Sequence, residues 1–498
     1  MIRRFLILLM FMLVVSPLGS TIRAAEQPNI LWIIVDDMSA HFSSYGEELI
    51  ETPHVDALAR RGVQFNHAYV TAPVCSTCRS AFITGMYQTA IGAHHHRSGR
   101  GTEKIILPDG IRPIPEMFQE AGYYTTLTGW PIRQDERLGK SDYNFQWNQQ
   151  MYNGADWGKR EEGQPFFAQI QLPGGKLRGG NMESAERLAA RVEERFGNRT
   201  DVKQVTLPPY YPATDVILHD WAAYLDTVRE TDRVVGEILA KLRDEGDLDN
   251  TIVLFMTDHG ISHVRGKQFM YDEGLHVPLV IAGPGIEGGQ IRNDLVEHID
   301  IAAVSLAYAG IDIPRYMQAQ NIMSDNYKPR QEVYAARDRC DETVEHLRSV
   351  RTHEFKYIRN YLHQRPHLQP NAYKDGKSIM QSFKQAGIDG GLNDVQKYLL
   401  QPTRPKEELY DLENDPHEIN NLADDPGYRN VLKQMRKSLS RWETRSGDQG
   451  VNPEPKKMFD SDMKLYVDTM EARKRPIEHI NTIKSNIELM RKWAREGK

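Results

Sequence analysis

Two uninterrupted apolar segments, each followed by ionisable residues, most restrict how this chain folds. Residues 29–35 read NILWIIV and lead directly into two aspartates. Residues 251–256 read TIVLFM and lead, after one threonine, into an Asp-His pair. Short runs rich in β-branched and aromatic residues, without polar alternation, are typical of strands buried on both faces. The two segments therefore predict strands of a sheet that is covered on both sides.

Helical patterns separate these strands, and a third apolar run follows at residues 278–282. Residues 54–61 and 114–121 have helical patterns, and residues 220–245 carry apolar residues at helical spacing before Gly246. Buried strands that alternate with helices are typical of α/β proteins. We predict an α/β fold with a mostly parallel central sheet flanked by helices, and a smaller α+β C-terminal domain.

The sequence divides into four predicted parts. From about residue 345, short strand-like pieces, a turn-rich segment and an amphipathic helix replace the earlier pattern, and a charged helical tail follows Gly450. At the N-terminus, two arginines precede an apolar run that resembles a secretory signal peptide and is too short to span a bilayer. The predicted parts are a signal peptide (1–25), an α/β domain that carries the site (26–345), an α+β subdomain (346–450) and the tail (451–498).

Charge, hydropathy and cysteine content limit the partners of the chain. The 498 residues include 62 Lys and Arg against 68 Asp and Glu, a net charge of −6, so no global basic field attracts nucleic acid. No second apolar run approaches membrane length, and we expect a secreted or periplasmic protein with no transmembrane segment after signal removal. Three cysteines are too few for disulfide bonds to be the main stabilising feature of an exported chain. Because the number is odd, at least one sulfur has another role.

Four ionisable residues lie at the predicted strand ends. Asp36 and Asp37 follow the first strand, and Asp258 and His259 follow the second. In parallel α/β sheets, sites form beyond the carboxyl ends of the strands. Divalent Ca²⁺ or Mg²⁺ prefers several oxygen ligands, which strand ends hold rigidly. Either pair alone fits an ordinary turn equally well, and the segment described next favours the metal site.

The segment from Cys75 to Gly85, CSTCRSAFITG, resembles the signature of the sulfatase family. That signature has a cysteine, a variable residue, usually a proline, a small residue and an arginine, followed by an apolar pair and Thr-Gly. The resemblance continues in order through NILWIIVDDM, TIVLFMTDHG and GKQFMYDEGLHVPLVIAGPG, over about residues 28–445. The segments LPPYYPATDVILHDW and EELYDLENDPHEINNLADDP are similar to the heparan N-sulfatase branch. The chain is thereby identified as a member of the sulfatase family, whose fold is that of the alkaline phosphatase superfamily.

The resemblance implies a nucleophile made from Cys75. In the family, a maturation enzyme oxidises this cysteine to formylglycine (3-oxoalanine), whose hydrated form attacks the sulfur, gives a covalent sulfated enzyme and also ligates the metal. A gem-diol suits Ca²⁺, which we expect in preference to Mg²⁺, whereas a soft thiol does not. By position, Arg79 supports the formylglycine and Lys267 contacts the sulfate. The implied metal ligands are Asp36, Asp37, Cys75, Asp258 and His259.

Two departures from the family pattern bear on the site. Thr77 replaces the usual proline of the signature, which bears on recognition by the maturation enzyme. The block Gly-Lys-Trp-His, whose lysine and histidine contact the sulfate in relatives, reads GWPI at residues 129–132. We predict three substitutes: Lys140 by reaching back, Lys176 from near a position where relatives carry a histidine, and His263 as the leaving-group acid.

The substrate class follows from the same resemblance. His94 and His96 belong to a run of three histidines after the signature helix, and we predict that they form a cationic, substrate-binding rim for a polyanionic sugar. The expected substrate is a sulfated glycan, as an O-sulfate or an N-sulfate. A phosphate or phosphonate ester hydrolase of the same superfamily and a non-catalytic sulfoglycan-binding protein are the alternatives. A redox pair or half of a zinc site from Cys75 and Cys78 lacks a second CxxC and a thioredoxin-like context.

Overall fold

The computed structural model describes residues 27–498, and the predicted signal peptide lies outside the described residues. The strands of the described chain form two sheets. They are β1 (Asn29–Val35), β2 (Gly62–Tyr69), β3 (Tyr124–Thr128), β4 (Phe166–Leu172), β5 (Thr251–Thr257), β6 (His276–Ala282), β7 (Gln290–Glu297), β8 (Val333–Arg337), β9 (Leu347–Arg351), β10 (Phe355–Asn360) and β11 (Glu407–Asp411).

Helices cover both faces of the larger sheet and extend into the C-terminal part. They are α1 (Pro53–Arg60), α2 (Cys75–Thr84), α3 (Ile114–Glu120), α4 (Met182–Phe196), α5 (Asp215–Asp244), α6 (Asp272–Leu275), α7 (Asp300–Tyr308), α8 (Ala372–Asp375), α9 (Ser378–Ile388), α10 (Asp394–Lys397), α11 (Arg429–Ser446), α12 (Lys456–Ala472) and α13 (Ile477–Arg495). Within residues 27–498, no helix combines the length and the hydrophobicity that a membrane crossing requires.

The larger sheet has seven strands in the order β3-β4-β1-β5-β6-β2-β7. The pairs β3-β4, β4-β1, β1-β5 and β2-β7 are parallel. Strand β6 is antiparallel to both of its neighbours, β5 and β2. The predicted α/β fold with a mostly parallel sheet is therefore confirmed.

Strand β1 lies inside this sheet, between β4 and β5, because its sequence has no polar face. All seven of its residues are buried. Trp32 makes edge contacts with Phe82 of α2, at 5.7 Å between ring centroids, and with Phe167 of β4 at 5.2 Å. Its indole Nε1 donates to Ser305 Oγ of α7 at 2.8 Å. Large buried rings with a satisfied polar atom thus fix α2 and α7 against the strand that carries the site.

The smaller sheet is antiparallel, in the order β11-β10-β9-β8, and α11 packs on it. Trp442 of α11 stacks on Tyr334 of β8, with ring centroids 5.2 Å apart and planes 5° from parallel. This arrangement confirms the predicted α+β character of the C-terminal part. The sheet begins at Val333, and the domain limits at residues 345 and 450 stay a prediction.

The tail folds back on the body of the protein. Helices α12 and α13 pack on each other through Met463, Ile483 and Met490, which are buried. The guanidinium of Arg339, in the loop after β8, bonds to Asp462 of α12 at 2.6 Å. Because both side chains of that ion pair are almost fully buried, it holds α12 firmly against the loop after β8.

We expect Asp448→Ala to lower the free energy of unfolding by about 3–5 kcal/mol, because it leaves a buried guanidinium without its main partner. Asp448, just after α11, bonds through Oδ2 to Nε of Arg348 on β9 at 2.5 Å, and both side chains are fully buried. Burial raises the pKa of Asp448, but Arg348 outweighs this and holds it below its usual value. The stabilisation is thus present above the ordinary aspartate pKa and lost as pH falls through the lower, folded pKa.

Denaturation midpoints at pH 7 and at acidic pH check this prediction. Asp249→Ala is the matched control, since its carboxylate is 98% exposed in an ion pair with Arg61 and is expected to matter little. Equal midpoint changes for the two variants would contradict the role assigned to the buried pair.

Candidate active site

The carboxyl ends of three adjacent parallel strands form one edge of the larger sheet. Val35 of β1 is paired with Leu172 of β4 and with Thr257 of β5, so the residues that follow these strands lie level with one another. Helix α2 starts at the same edge, with Cys75 as its first residue. Four separate parts of the sequence therefore converge here, as expected for a parallel sheet.

The backbone after β1 is held in an unusual conformation by the turn after β4. Asp37 has a φ of 55°, in the left-handed region that non-glycine residues rarely adopt. A Cβ at Gly175 would lie 2.1 Å from the Asp37 carbonyl oxygen, so only glycine permits the close approach of the two segments. Strained residues of this kind are concentrated at functional sites, where surrounding structure holds them in place.

Four side chains are arranged to hold a metal ion. The ligand atoms of Asp37, Cys75, Asp258 and His259 all lie within 4.8 Å of one another, and all four residues are buried. Within the described residues, Oδ2 of Asp37 has no hydrogen-bond partner although it is buried. His259 Nδ1 lies 2.8 Å from the Gly260 carbonyl oxygen and must donate to it, which leaves Nε2 to face the group. Carboxylates and an imidazole around an unpaired oxygen fit a divalent cation.

Asp36, the fifth predicted ligand, lies among cations. Lys140 Nζ is 2.8 Å from its Oδ2, and Lys176 and Arg79 also contact the carboxylate. Burial raises the pKa of Asp36, but Lys140, Arg79 and Lys176 outweigh this and hold it well below its usual value. The carboxylate is therefore charged and connects the metal-ligand group to the two lysines.

The Cys75 sulfur lies between the metal-ligand group and two ammonium groups. Its Sγ is 3.0 Å from His259 Nε2, 3.1 Å from Lys267 Nζ and 3.7 Å from Lys176 Nζ. Burial raises the pKa of this thiol, but Lys176 and Lys267 outweigh that effect and bring it to about 7. In contrast, burial raises the pKa of Cys78 well above its usual value. Cys75 is the thiol in the chain's electropositive centre.

Arg79 is one turn after Cys75 on α2 and is fully buried. Its guanidinium bonds to Asp258 at 3.0 Å and contacts Asp36 and Gln171. Gln171, near the end of β4, was not predicted from the sequence, although a polar residue near the end of a buried strand is a usable signal. Arg79 thus links three strand ends and holds them at a fixed distance from α2.

The predicted histidines lie farther from the sulfur. His263 Nε2 donates to Asp220 of α5 at 2.6 Å, its ring stacks on Trp221, and burial lowers its pKa to about 3. His94 is buried and burial lowers its pKa to about 4. His96 is also buried, and its Nδ1 lies 2.7 Å from the hydroxyl of Ser76. The structure therefore brings nine of the twelve predicted site residues together around Cys75 and leaves these three histidines outside that group, so their roles stay predictions.

Comparison with known proteins decides the family. The model of the sulfatase family matches residues 28–311, which is more than half of the chain. The chain belongs to the sulfatase family. A second model, N-sulphoglucosamine sulphohydrolase C-terminal, matches residues 259–385 of this sulfatase and agrees with the heparan N-sulfatase-like branch predicted from the sequence.

Individual relatives agree with this assignment. The sulfatase is 32% identical over 475 residues to an ulvan-active sulfatase of Formosa agariphila, covering 88% of this chain and 78% of that protein. It is 25% identical over 481 residues to human N-sulphoglucosamine sulphohydrolase, covering 86% and 92% of the two chains. A solved structure in complex with its substrate D-glucosamine-2-N,6-O-disulfate matches with a TM-score of 0.59 at 20% identity, covering 85% and 98%, and shows the shared fold. The chain is accordingly a sulfuric ester hydrolase.

Proposed function

We propose that this sulfatase removes sulfate from a sulfated carbohydrate, with a formylglycine made from Cys75 and a bound Ca²⁺. The observation that carries the proposal is the position of the Cys75 sulfur, 3.1 Å from Lys267 Nζ and within the group of ligand atoms that includes the unpaired Asp37 oxygen. A site for an anion and a site for a cation therefore meet at one side chain. The named substrates of the relatives, ulvan and N-sulphoglucosamine, give the carbohydrate class.

The donor set fits both groups that the family implies. The ion would be held by Asp36, Asp37, Asp258 and His259 together with an oxygen at position 75. Because Ca²⁺ is a hard cation, an oxygen at this position suits it better than a thiol. When present, formylglycine supplies an oxygen nucleophile and the metal offsets negative charge on the sulfate.

The lysines of the chain position the sulfate. Burial lowers the pKa of Lys267, but Asp37 and Cys75 outweigh this and hold it well above its usual value, so the ammonium group stays charged beside the reacting atoms. Lys140 and Lys176 have side chains about one third exposed, at 33% and 34%. They therefore line the solvent side of the site, where they bind the sulfate oxygens and the leaving group, in place of the family's missing lysine and histidine.

Export and maturation belong to the same proposal. A secreted or periplasmic location would place the enzyme where polymeric glycans are met, and the maturation enzyme would act on CSTCR before folding buries Cys75, which is 3% exposed. Thr77 at the usual proline position is buried, and its hydroxyl donates to the Val74 carbonyl at 2.7 Å. The buried threonine hydroxyl is thus hydrogen-bonded within the first turn of α2 in the folded chain.

Sulfate release is the test. Protein produced together with a maturation enzyme is incubated with ulvan, with N-sulfated and O-sulfated glucosamine, and with an aryl sulfate and the matching aryl phosphate. We expect sulfate from at least one glycan and turnover of the aryl sulfate about 100-fold above that of the aryl phosphate. Faster phosphate turnover would favour the phosphate or phosphonate hydrolase, and glycan binding without any release would favour the binding protein.

A further inference from the structure

A cavity of about 350 Å³ lies between the loop after α2 and the tail helix α12. We call it the tail cavity and define it by six of its lining residues: His96, Arg97, Asp341, Tyr466, Met470 and Arg473. The two family models end at residues 311 and 385, so the wall formed by α12 lies beyond both of them. The segments that the two family models describe therefore do not include its chemistry.

The tail cavity borders the active site at two places. On one side, Ser76, the residue after Cys75, accepts a hydrogen bond from the backbone N–H of Arg97 at 2.9 Å and lies 2.7 Å from His96 Nδ1. On the other side, Asp142 lines the cavity, and its carboxylate is 3.7 Å from Lys140 Nζ. A sugar ring in this cavity would be adjacent to a ring whose sulfate reaches Cys75.

Two arginines in the cavity wall are available to an anion. The Arg97 side chain is 50% exposed, its φ is 56°, and its nearest carboxylate oxygen, on Asp341, is 3.9 Å away. That distance is too long for a hydrogen bond. Arg473, at the end of α12, is exposed and forms no ion pair within residues 27–498. By contrast, Arg100 is paired with Asp142 at 2.9 Å.

The α12 side of the tail cavity, which carries Arg473 at its end, also presents apolar side chains. Tyr466 and Met470 of α12 contribute to it, as does Leu465, which is 37% exposed although it is a large hydrophobic residue. Aromatic and aliphatic side chains offer surface to the C–H faces of a sugar, while its charged groups need cationic donors. A cavity that offers both kinds of side chain is suited to a negatively charged pyranose.

We propose that the tail cavity binds the anionic sugar adjacent to the one that carries the scissile sulfate, with Arg97 and Arg473 on its carboxylate or sulfate and Tyr466 against its ring. The inference rests on the proposed function, because that function places the sugar with the scissile sulfate at Cys75 and its neighbour toward the tail cavity. It makes the tail, whose role the sequence does not indicate, a determinant of specificity for oligomeric over single-sugar substrates.

Binding and turnover test this inference separately. Calorimetry with Cys75→Ala protein measures the Kd of a disaccharide that has a uronate next to a sulfated glucosamine, against the Kd of the sulfated monosaccharide. We expect Arg473→Ala and Tyr466→Ala, made in this background, to weaken disaccharide binding about 10- to 100-fold relative to monosaccharide binding. Arg475→Ala is the matched control, because Arg475 is exposed two residues farther on and does not line the cavity.

In protein with Cys75 intact, the same variants are expected to lower the ratio of kcat/KM for the disaccharide to kcat/KM for the monosaccharide by a similar factor. Equal losses for both sugars, or losses equal to those of Arg475→Ala, would overturn the inference. If no sulfate ester is hydrolysed but the disaccharide is still bound through Arg473, the proposed function fails and the cavity assignment stands.

Discussion

Replacing Cys75 by alanine is expected to reduce the rate of sulfate release by about 10⁴-fold or more, because removal of a nucleophile typically eliminates most of an enzyme's rate enhancement. The Cys75 sulfur lies 3.0 Å from His259 Nε2 and 3.1 Å from Lys267 Nζ, at the first residue of α2. The alanine variant keeps the helix and the lysines, and removes only the side chain that serves as nucleophile and metal ligand. Initial rates with an aryl sulfate and with a sulfated sugar provide the measurement.

Cys78→Ser is the matched control for this variant. Cys78 is one turn farther on the same helix, is equally buried, and its Sγ lies 2.8 Å from the Ala72 carbonyl oxygen, a contact that a serine hydroxyl can also make. We expect this variant to retain activity within a few-fold. If Cys75→Ala retained a tenth of the wild-type rate, the nucleophile would have to be another group.

The peptide that contains residue 75 distinguishes the two chemical forms of the nucleophile. In active wild-type protein it is expected to be lighter than the unmodified peptide by the mass of H₂S less one oxygen, since the thiol becomes a carbonyl. A fully active protein whose Cys75 is still a thiol would refute the formylglycine proposal and would leave the thiolate, with its pKa near 7, as the attacking group.

The strand ends could be predicted from the sequence because each is fixed by its own segment. The bounds of β1 match the predicted residues 29–35, and its six consecutive apolar residues after Asn29 favour a buried strand. The antiparallel direction of β6 was not predicted, since strand direction leaves no trace in the composition of a strand buried on both faces. Helix α5 begins at Asp215, ahead of the predicted residue 220, because Thr214 caps it by accepting from Ile217 N–H.

Side chains outside the strand ends depend on long-range packing that the sequence does not encode locally. His263 is four residues before Lys267, yet its ring packs on Trp221 and Asp220 of α5 while Lys267 reaches Cys75. The intervening residues have no regular structure, so proximity in the sequence does not fix direction. Arg473 is brought near the site only by the docking of the tail. The residues of the metal-ligand group could therefore be predicted from the sequence, whereas the tail cavity could not.

Asp37→Asn is expected to weaken Ca²⁺ binding by about 100-fold or more, because it removes a negative charge from a direct ligand. Replacing a residue that only hydrogen-bonds to a metal ligand already lowers metal affinity by about 10- to 100-fold. Asp37 Oδ2 is the buried oxygen without a partner, and the amide offers a weaker ligand or a donor at that point. Sulfate release is expected to fall at least in parallel, since the ion offsets charge in the reaction.

Thermal midpoints give a readout that does not depend on activity. A ligand that binds only the folded state stabilises it by RT ln(1 + [L]/Kd), about 4 kcal/mol at a thousandfold excess over Kd, so chelation should lower the wild-type midpoint and Ca²⁺ should restore it. Mg²⁺ should restore it less, because it demands a stricter octahedral geometry. At the same Ca²⁺ concentration, a 100-fold weaker Kd should reduce the stabilisation of Asp37→Asn to about 1.4 kcal/mol or less.

Asp232→Asn separates ligand loss from general destabilisation. Asp232 is also buried and accepts from the backbone N–H groups of His54 and Val55, at 3.0 and 2.7 Å, at the start of α1. Its replacement should lower the midpoint but leave the Ca²⁺-dependent shift intact. A Ca²⁺ shift of wild-type size in Asp37→Asn would show that Asp37 does not bind the ion. The Lys267 ammonium group lies 3.0 Å from the Asp37 carboxylate. If Asp37→Asn loses the Ca²⁺-dependent shift but keeps the wild-type midpoint without Ca²⁺, the same carboxylate binds both the ion and the sulfate-binding lysine.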